Sequence, residues 1–137
     1  MPCAALLLLA GCSTAPDAAV QPMERDTAAG MTCAAVSALD NTIHNSGASL
    51  KLGEIDASQH AAIVNAAAEG FSALTKLPES DRGLRAETQT VVDLIESAEA
   101  TPSGARFDPD AEAFHISMKS LYEACAANST DVVIWAE

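Results

Sequence analysis

The spacing of apolar residues between positions 107 and 125 constrains the fold more than any other feature of this sequence. These residues are separated alternately by four and three positions, and they are Phe107, Ala111, Phe114, Met118, Leu121 and Cys125. This spacing places one side chain per turn on the same face of an α-helix. A heptad pattern of this kind is typical of a helix that packs lengthwise against another helix.

Start and stop signals divide the preceding part of the chain into three further helices. The first is predicted from about Thr32 to Leu52, with Gly53 as a left-handed terminator. A bend or break is expected within it at residues 45–47, where the sequence reads Asn-Ser-Gly. Each predicted helix is therefore bounded by residues with a physical reason to be there.

The second helix has the clearest start signal in the chain. Asp56 and Gln59 are spaced as a capping box, in which each side chain accepts from the other residue's backbone N–H. Pro78 is expected to end this helix. A third helix is predicted to begin near residues 80–81 and to stop at residues 101–104, which read Thr-Pro-Ser-Gly.

The fourth helix is predicted to begin with Asp108 as its cap and Pro109 at its first helical position. Asn128 is predicted as its left-handed terminator. Alanine is the commonest residue type, at 29 positions, whereas only five residues are aromatic, and this favours closely packed helices over a β-sandwich. The predicted fold class is all-α, an antiparallel up-down four-helix bundle.

The first twelve residues carry a motif that bears on location. An apolar run of seven residues, Ala4 to Ala10, precedes Gly11 and Cys12. The run is too short to span a bilayer but matches the apolar part of an export signal, although no Lys or Arg precedes it. The sequence Leu9-Ala10-Gly11-Cys12 resembles the lipobox of bacterial lipoprotein precursors. The resemblance implies cleavage between Gly11 and Cys12, acylation of Cys12, and anchoring on the extracytoplasmic face of a bacterial membrane.

Cysteine usage follows from that resemblance. Cys3 would leave with the signal and Cys12 would carry lipid, so that Cys33 and Cys125 are the two thiols left in the mature chain. An exported domain with two thiols is expected to pair them, the alternative being two buried, unpaired cysteines. In an up-down bundle Cys33 and Cys125 lie at the same end, so a disulfide would close the bundle.

The predicted organisation has three parts. Residues 1–11 form the signal peptide, and residues 12–30 form the acylated cysteine with a disordered tether. Residues 31–137 form the helical-bundle domain with a short extended C-terminal tail. In that tail the β-prone residues 131–135 are expected to cover the open end of the bundle, or alternatively to dock a partner through Trp135.

The chain is strongly acidic, with 7 Lys and Arg against 19 Asp and Glu and a formal net charge of −12. Nucleic-acid binding is not expected, because it requires clustered basic residues to neutralise phosphates. Attraction to anionic lipid headgroups is not expected either. Contact with the membrane is predicted through the lipid anchor alone.

Candidate catalytic and metal-binding residues are few. The metal candidates are weak, and they are His115, Met118, His60 and His44, of which the pair on the last helix would suit Cu(I). The acidic triplet at positions 108, 110 and 112 is better explained as helix capping than as a calcium site. No nucleophile elbow, phosphate loop or haem-attachment motif is found. No cofactor and no catalytic residue are predicted.

These observations predict a non-enzymatic binding, accessory or structural module at the cell envelope, with an envelope protein as a possible partner. Two alternatives from other classes stay open. One is an envelope carrier of copper or haem that uses the histidines and Met118. The other is a small cell-wall enzyme or an enzyme inhibitor, of which the enzyme would require a cleft.

Overall fold

A computed structural model of the protein describes residues 26–128, and these form an antiparallel up-down bundle of four α-helices. The helices are α1 (Thr27–Lys51), α2 (Ala57–Thr75), α3 (Arg85–Ser97) and α4 (Glu112–Ala127). A single 3-10 turn, Glu79–Asp81, precedes α3, and the described residues contain no strand. The predicted fold class is confirmed. The signal peptide, Cys12, most of the tether and the tail from residue 129 onward lie outside the described residues.

The core lies along the bundle axis and is filled by all four helices. Its largest fully buried side chains include Phe71 and Leu121. Phe114 contacts two other phenylalanines, with ring centroids 6.3 Å from Phe71 and 4.8 Å from Phe107. Aromatic pairs at these separations stabilise a core beyond the area that they bury.

The first helix differs from the prediction at its start. Asp26 caps α1 by accepting from the backbone N–H groups of Ala28 and Ala29, so the helix begins at Thr27. Residues 27–30, which the sequence analysis assigned to the tether, are therefore its first turn. The helix also continues through residues 45–47 without a break. It ends as predicted at Gly53, whose φ of 72° allows the N–H of Glu54 to reach the carbonyl of Ser49.

The capping box of α2 is confirmed, with both reciprocal hydrogen bonds between Asp56 and Gln59 present. The third helix begins later than predicted, at Arg85. The backbone at Gly83 passes so close to α1 that a Cβ there would overlap backbone atoms of Ala28 and Ala29. Leu84 then adopts a left-handed conformation, φ 47°, and its carbonyl accepts the first helical hydrogen bond. Packing against α1 therefore delays the start of this helix.

The fourth helix also begins later than predicted, at Glu112, with Ala111 rather than Asp108 in the cap position. The Asp108 side chain accepts from the N–H of Asp110, which closes a turn ahead of the helix instead of capping it. Asn128 ends α4 with a φ of −83° and is not a left-handed terminator; its side chain is hydrogen-bonded to the backbone of Asp26.

The connection between α3 and α4, residues 98–111, closes the end of the bundle opposite the disulfide. Ala105 and Phe107 are buried in the core, so Phe107 contributes to the predicted apolar face without being helical. The Asn65 side chain donates to the carbonyl of Gly104 and accepts from the N–H of Arg106. These contacts tie the connection to α2.

Candidate functional site

The seam between α1 and α4 is sealed differently from the other helix pairs. The pairs α1–α2, α2–α3 and α3–α4 pack extensively against each other, whereas α1 and α4 approach over a much shorter length. The predicted disulfide between Cys33 and Cys125 joins them at one end, with 5.8 Å between the Cα atoms. Next to it, the backbone N–H and carbonyl of Asp26 bond the side chain of Asn128. Away from that end, the two helices diverge.

The divergence leaves a groove along the α1–α4 seam that has two adjoining sections. The histidine section has a volume of about 280 Å³, and the residues that distinguish it include Gly47, Lys51, His60 and Asp110. The α4 section has a volume of about 500 Å³, and it is lined further along the helix by Met118, Lys119, Tyr122, Glu123 and Ala126. Asp40, His44 and His115 line both sections. The volume of the α4 section is within the range of ligand-binding pockets.

All three histidines of the chain line this one groove. His44 lies on α1, His60 near the start of α2 and His115 near the start of α4. His44 and His115 are exposed, whereas His60 is half-buried. The helices thus bring together three imidazoles that are separated by 16 and 55 positions in the sequence.

The position of His60 is fixed by a hydrogen bond to Ser46. The Ser46 hydroxyl donates to the carbonyl of Ile43, at 2.7 Å, and its oxygen lies 2.9 Å from Nδ1 of His60. Because a hydroxyl has a single hydrogen, Nδ1 of His60 is the donor in this second bond. In the neutral ring, Nε2 of His60 therefore carries the free lone pair. Gly47 leaves room for the ring, since a Cβ there would be 4.0 Å from its Cε1 atom.

A second polar contact crosses the seam, where the Tyr122 hydroxyl donates to Oδ2 of Asp40. Burial of the phenol, then this hydrogen bond and the carboxylate charge, raise the pKa of Tyr122 far above its ordinary value of 10.0. Tyr122 therefore stays protonated throughout the physiological range. The carboxylate of Asp40 is correspondingly engaged in holding α1 and α4 together.

Two of the chain's cations also line the groove, Lys51 and Lys119. Lys119 lies 4.0 Å from Glu123 in an exposed pair, which contributes little to stability. Other cations bond groups away from the groove: Arg85 pairs with Glu79, and Arg106 pairs with Glu69. In a protein with a net charge of −12, the groove is thus a region where positive and negative groups are mixed.

The weak metal candidates of the sequence analysis meet only in part. His44, His115 and Met118 line the α4 section together, but Met118 is buried as a core residue. Within residues 26–128, no group of three or more His, Cys, Asp or Glu side chains is placed to hold a metal ion. The predicted cleavage and lipidation residues, Gly11 and Cys12, lie outside that part of the chain.

Sequence reasoning missed Asp40, Tyr122 and the groove itself, although the sequence carries a signal for them. Four of the groove residues on α1 are separated by four, three and four positions, and they are Asp40, His44, Gly47 and Lys51. Four of the groove residues on α4 have the same spacing, and they are His115, Lys119, Tyr122 and Ala126. Each helix thus carries a second, largely polar heptad stripe beside its apolar one.

Comparisons of this chain with protein-family models, with curated proteins and with solved structures found no match. Within residues 26–128, none of the helices combines the length and the apolar character needed to cross a bilayer. The fold and the site define the class as a small, disulfide-closed four-helix bundle with a groove between its first and last helices.

Proposed function

We propose that this protein is a lipid-anchored, non-enzymatic binding module of the bacterial cell envelope, and that its ligand lies in the α1–α4 groove. The observation that carries the proposal is the convergence of all three histidines on the seam between α1 and α4, where the helices pack less extensively than the other neighbouring pairs. A polar stripe beside an open seam is more useful for recognition than for packing.

The location rests on two separate features. The lipobox residues Leu9-Ala10-Gly11-Cys12 support export and acylation at Cys12. The disulfide between Cys33 and Cys125 supports an oxidising compartment, such as the periplasm or the cell surface. An anchored module of this kind would hold its groove close to the membrane surface.

The composition of the groove favours a ligand with an apolar body and an anionic or hydrogen-bond-accepting group. Ala126 and the ring of Tyr122 offer apolar surface in the α4 section. Lys119 lies beside them and Lys51 lies in the histidine section, and both can donate to an anion, although three carboxylates also line the groove. The groove thus combines some apolar surface with polar groups that can fix the orientation of a ligand.

The location is tested by the intact mass of the protein recovered from native membranes. A mass that begins at Cys12 and includes acyl chains supports the anchor, and the variant Cys12→Ala is then expected in the soluble fraction. Retention of Cys12→Ala on the membrane would contradict lipidation, because a lipid-free chain of this charge has no other predicted anchor.

The groove is tested with 8-anilinonaphthalene-1-sulfonate, a fluorescent probe that has an apolar ring system and one anionic group. Ala126 and Ala127 are neighbouring exposed residues in the last turn of α4, but only Ala126 lines the groove. Ala126→Glu is expected to weaken binding of the probe, whereas the matched control Ala127→Glu leaves it unchanged. Equal binding by both variants would place the probe elsewhere and contradict the groove as a ligand site.

A metal carrier is the second candidate, because three imidazoles line the same groove. The binding module is favoured because the described residues lack a group of three or more candidate ligands placed around one point. Dialysis against Cu(I) or Zn²⁺ separates the two. Stoichiometric metal that is lost on His44→Ala and His115→Ala would support the carrier.

A further inference from the structure

The groove passes beside the point where the described part of the chain ends. Asn128 follows the last residue of α4, and Ala126, two positions earlier, lines the α4 section of the groove. The hydrogen bonds between Asn128 and Asp26 fix this end of α4 against the start of α1. The chain therefore continues beyond Asn128 from a point that lies beside the groove.

The nine residues after Asn128 read Ser-Thr-Asp-Val-Val-Ile-Trp-Ala-Glu. The segment is apolar from Val132 to Ala136 and has one acidic residue on each side, Asp131 and Glu137. Burial of an apolar run of this kind against another surface is favoured by the hydrophobic effect. β-branched and aromatic residues also favour an extended conformation.

The length of the segment matches the groove. Nine extended residues reach roughly 30 Å, whereas the 16 residues of α4 rise about 24 Å. A segment that turns back after Asn128 can therefore run alongside α4 past both Ala126 and Met118.

We propose that the chain's own residues 129–137 occupy the groove in the free protein, with Trp135 in the α4 section. This proposal rests on the proposed function, because it concerns the same groove and names the segment that fills it. It also narrows the ligand class to an extended, apolar peptide segment that contains an aromatic residue. An external ligand of that chemistry gains access by displacing the segment.

The fluorescence of Trp135 reports on this segment alone, because Trp135 is the single tryptophan of the chain. The experiment measures quenching of Trp135 fluorescence by acrylamide in the full chain, native and denatured. Ligands seated in pockets lose 70–90% of their accessible surface, so the native quenching constant is expected to be lower by about threefold or more. Ala126→Glu is expected to restore quenching, and the matched control Ala127→Glu is not.

Three results would overturn the proposal. Quenching of native Trp135 as strong as in the denatured chain would mean that the segment is exposed. Equal shielding in Ala126→Glu and Ala127→Glu would place Trp135 on another surface, such as the end of the bundle. Shielding that is lost on dilution would mean that the segment of a second copy fills the groove.

The test of the occupant is separate from the test of the groove. Trp135→Ala is expected to bind 8-anilinonaphthalene-1-sulfonate severalfold more tightly than the unmodified chain, because the competing segment is weakened. Unchanged binding by this variant would contradict the competition. Absence of probe binding in Trp135→Ala would contradict the groove as a ligand site, while the quenching of Trp135 would still report where the segment lies.

Discussion

The two sides of α1 contrast in how they are sealed. On the side that faces α2, Gly70 lies so close that a Cβ there would be 2.5 Å from Cδ2 of Leu39. On the side that faces α4, the two helices approach over a shorter length, and a Cβ at the groove residue Gly47 would have only the ring of His60, on α2, at 4.0 Å. Small residues close the first interface, whereas a few specific links hold the second.

This difference shows where the bundle keeps its stability and where it can carry function. Close packing leaves no room for a ligand, because a protein interior is filled to about the density of an organic crystal. A seam held by a disulfide and polar contacts can keep its shape and still leave a groove open. We therefore expect substitutions on the two sides of α1 to affect different properties.

Removal of the disulfide is expected to have the largest effect on stability. In the double variant Cys33→Ser and Cys125→Ser, the closed loop between positions separated by 92 residues is lost. On the chain-entropy model such a loop contributes about 4–5 kcal/mol to the free energy of unfolding. Denaturant unfolding followed by circular dichroism would measure the loss, with the helical signal of the native state retained. An unchanged unfolding midpoint would show that the polar contacts alone hold the seam.

Substitution of alanine at three glycines compares the two sides of α1 directly. Gly83→Ala is expected to destabilise by about 1–3 kcal/mol, because the new Cβ meets the backbone of α1. Gly70→Ala is expected to cost less, since the side chain of Leu39 can move. Gly47→Ala is expected to stabilise the protein by up to about 1 kcal/mol, because alanine favours a helix and the groove has space. Thermal unfolding would rank the three, and a destabilised Gly47→Ala would contradict an open seam.

Much of the fold could be predicted because its signals are local. The helical stripes, the capping box of Asp56 and the terminator at Gly53 each depend on neighbours within one or two turns. The starts of α3 and α4 were wrong because they depend on distant contacts. Gly83 packs against α1, and Asp108 closes a turn in a connection that is held by α2. Local chemistry alone does not decide such boundaries.

The groove was missed for a different reason. The second heptad stripes on α1 and α4 are present in the sequence, but polar stripes usually face solvent. Only the divergence of the two helices turns Asp40, His44 and His115 into the lining of one site. The disulfide, in contrast, could be predicted because it links the ends of the two helices that the topology brings together.

The contact between Tyr122 and Asp40 is expected to contribute about 1 kcal/mol, because one partner is charged but the pair is only partly buried. Its pH dependence follows from the raised pKa of Tyr122. The folded protein keeps the phenolic proton above pH 10, whereas the unfolded chain releases it, so the contribution is complete below pH 10 and is lost as the pH rises further. Unfolding at pH 8 and pH 11 would measure this loss.

Two variants separate the causes of that pH dependence. Tyr122→Phe removes the titrating group, so the part of the alkaline loss that depends on it is expected to disappear. Asp40→Asn removes the carboxylate but not the burial, which is the largest cause, so the pKa of Tyr122 is expected to fall and to stay above its ordinary value. An alkaline loss that is identical in Tyr122→Phe would assign it to other groups.

The smallest effect on stability is expected at the exposed rim of the groove, where it can be separated from binding. Lys119 and Glu123 form an exposed pair, so Lys119→Ala is expected to change the free energy of unfolding by less than about 0.5 kcal/mol. Because Lys119 lines the α4 section, the same variant is expected to weaken binding of the anionic probe. Lys76, an exposed lysine at the end of α2, provides the control, since Lys76→Ala removes the same charge from outside the groove. Equal losses of probe binding in both variants would mean that Lys119 acts only through the net charge of the protein. A loss confined to Lys119→Ala would mean that the probe binds in the groove between α1 and α4.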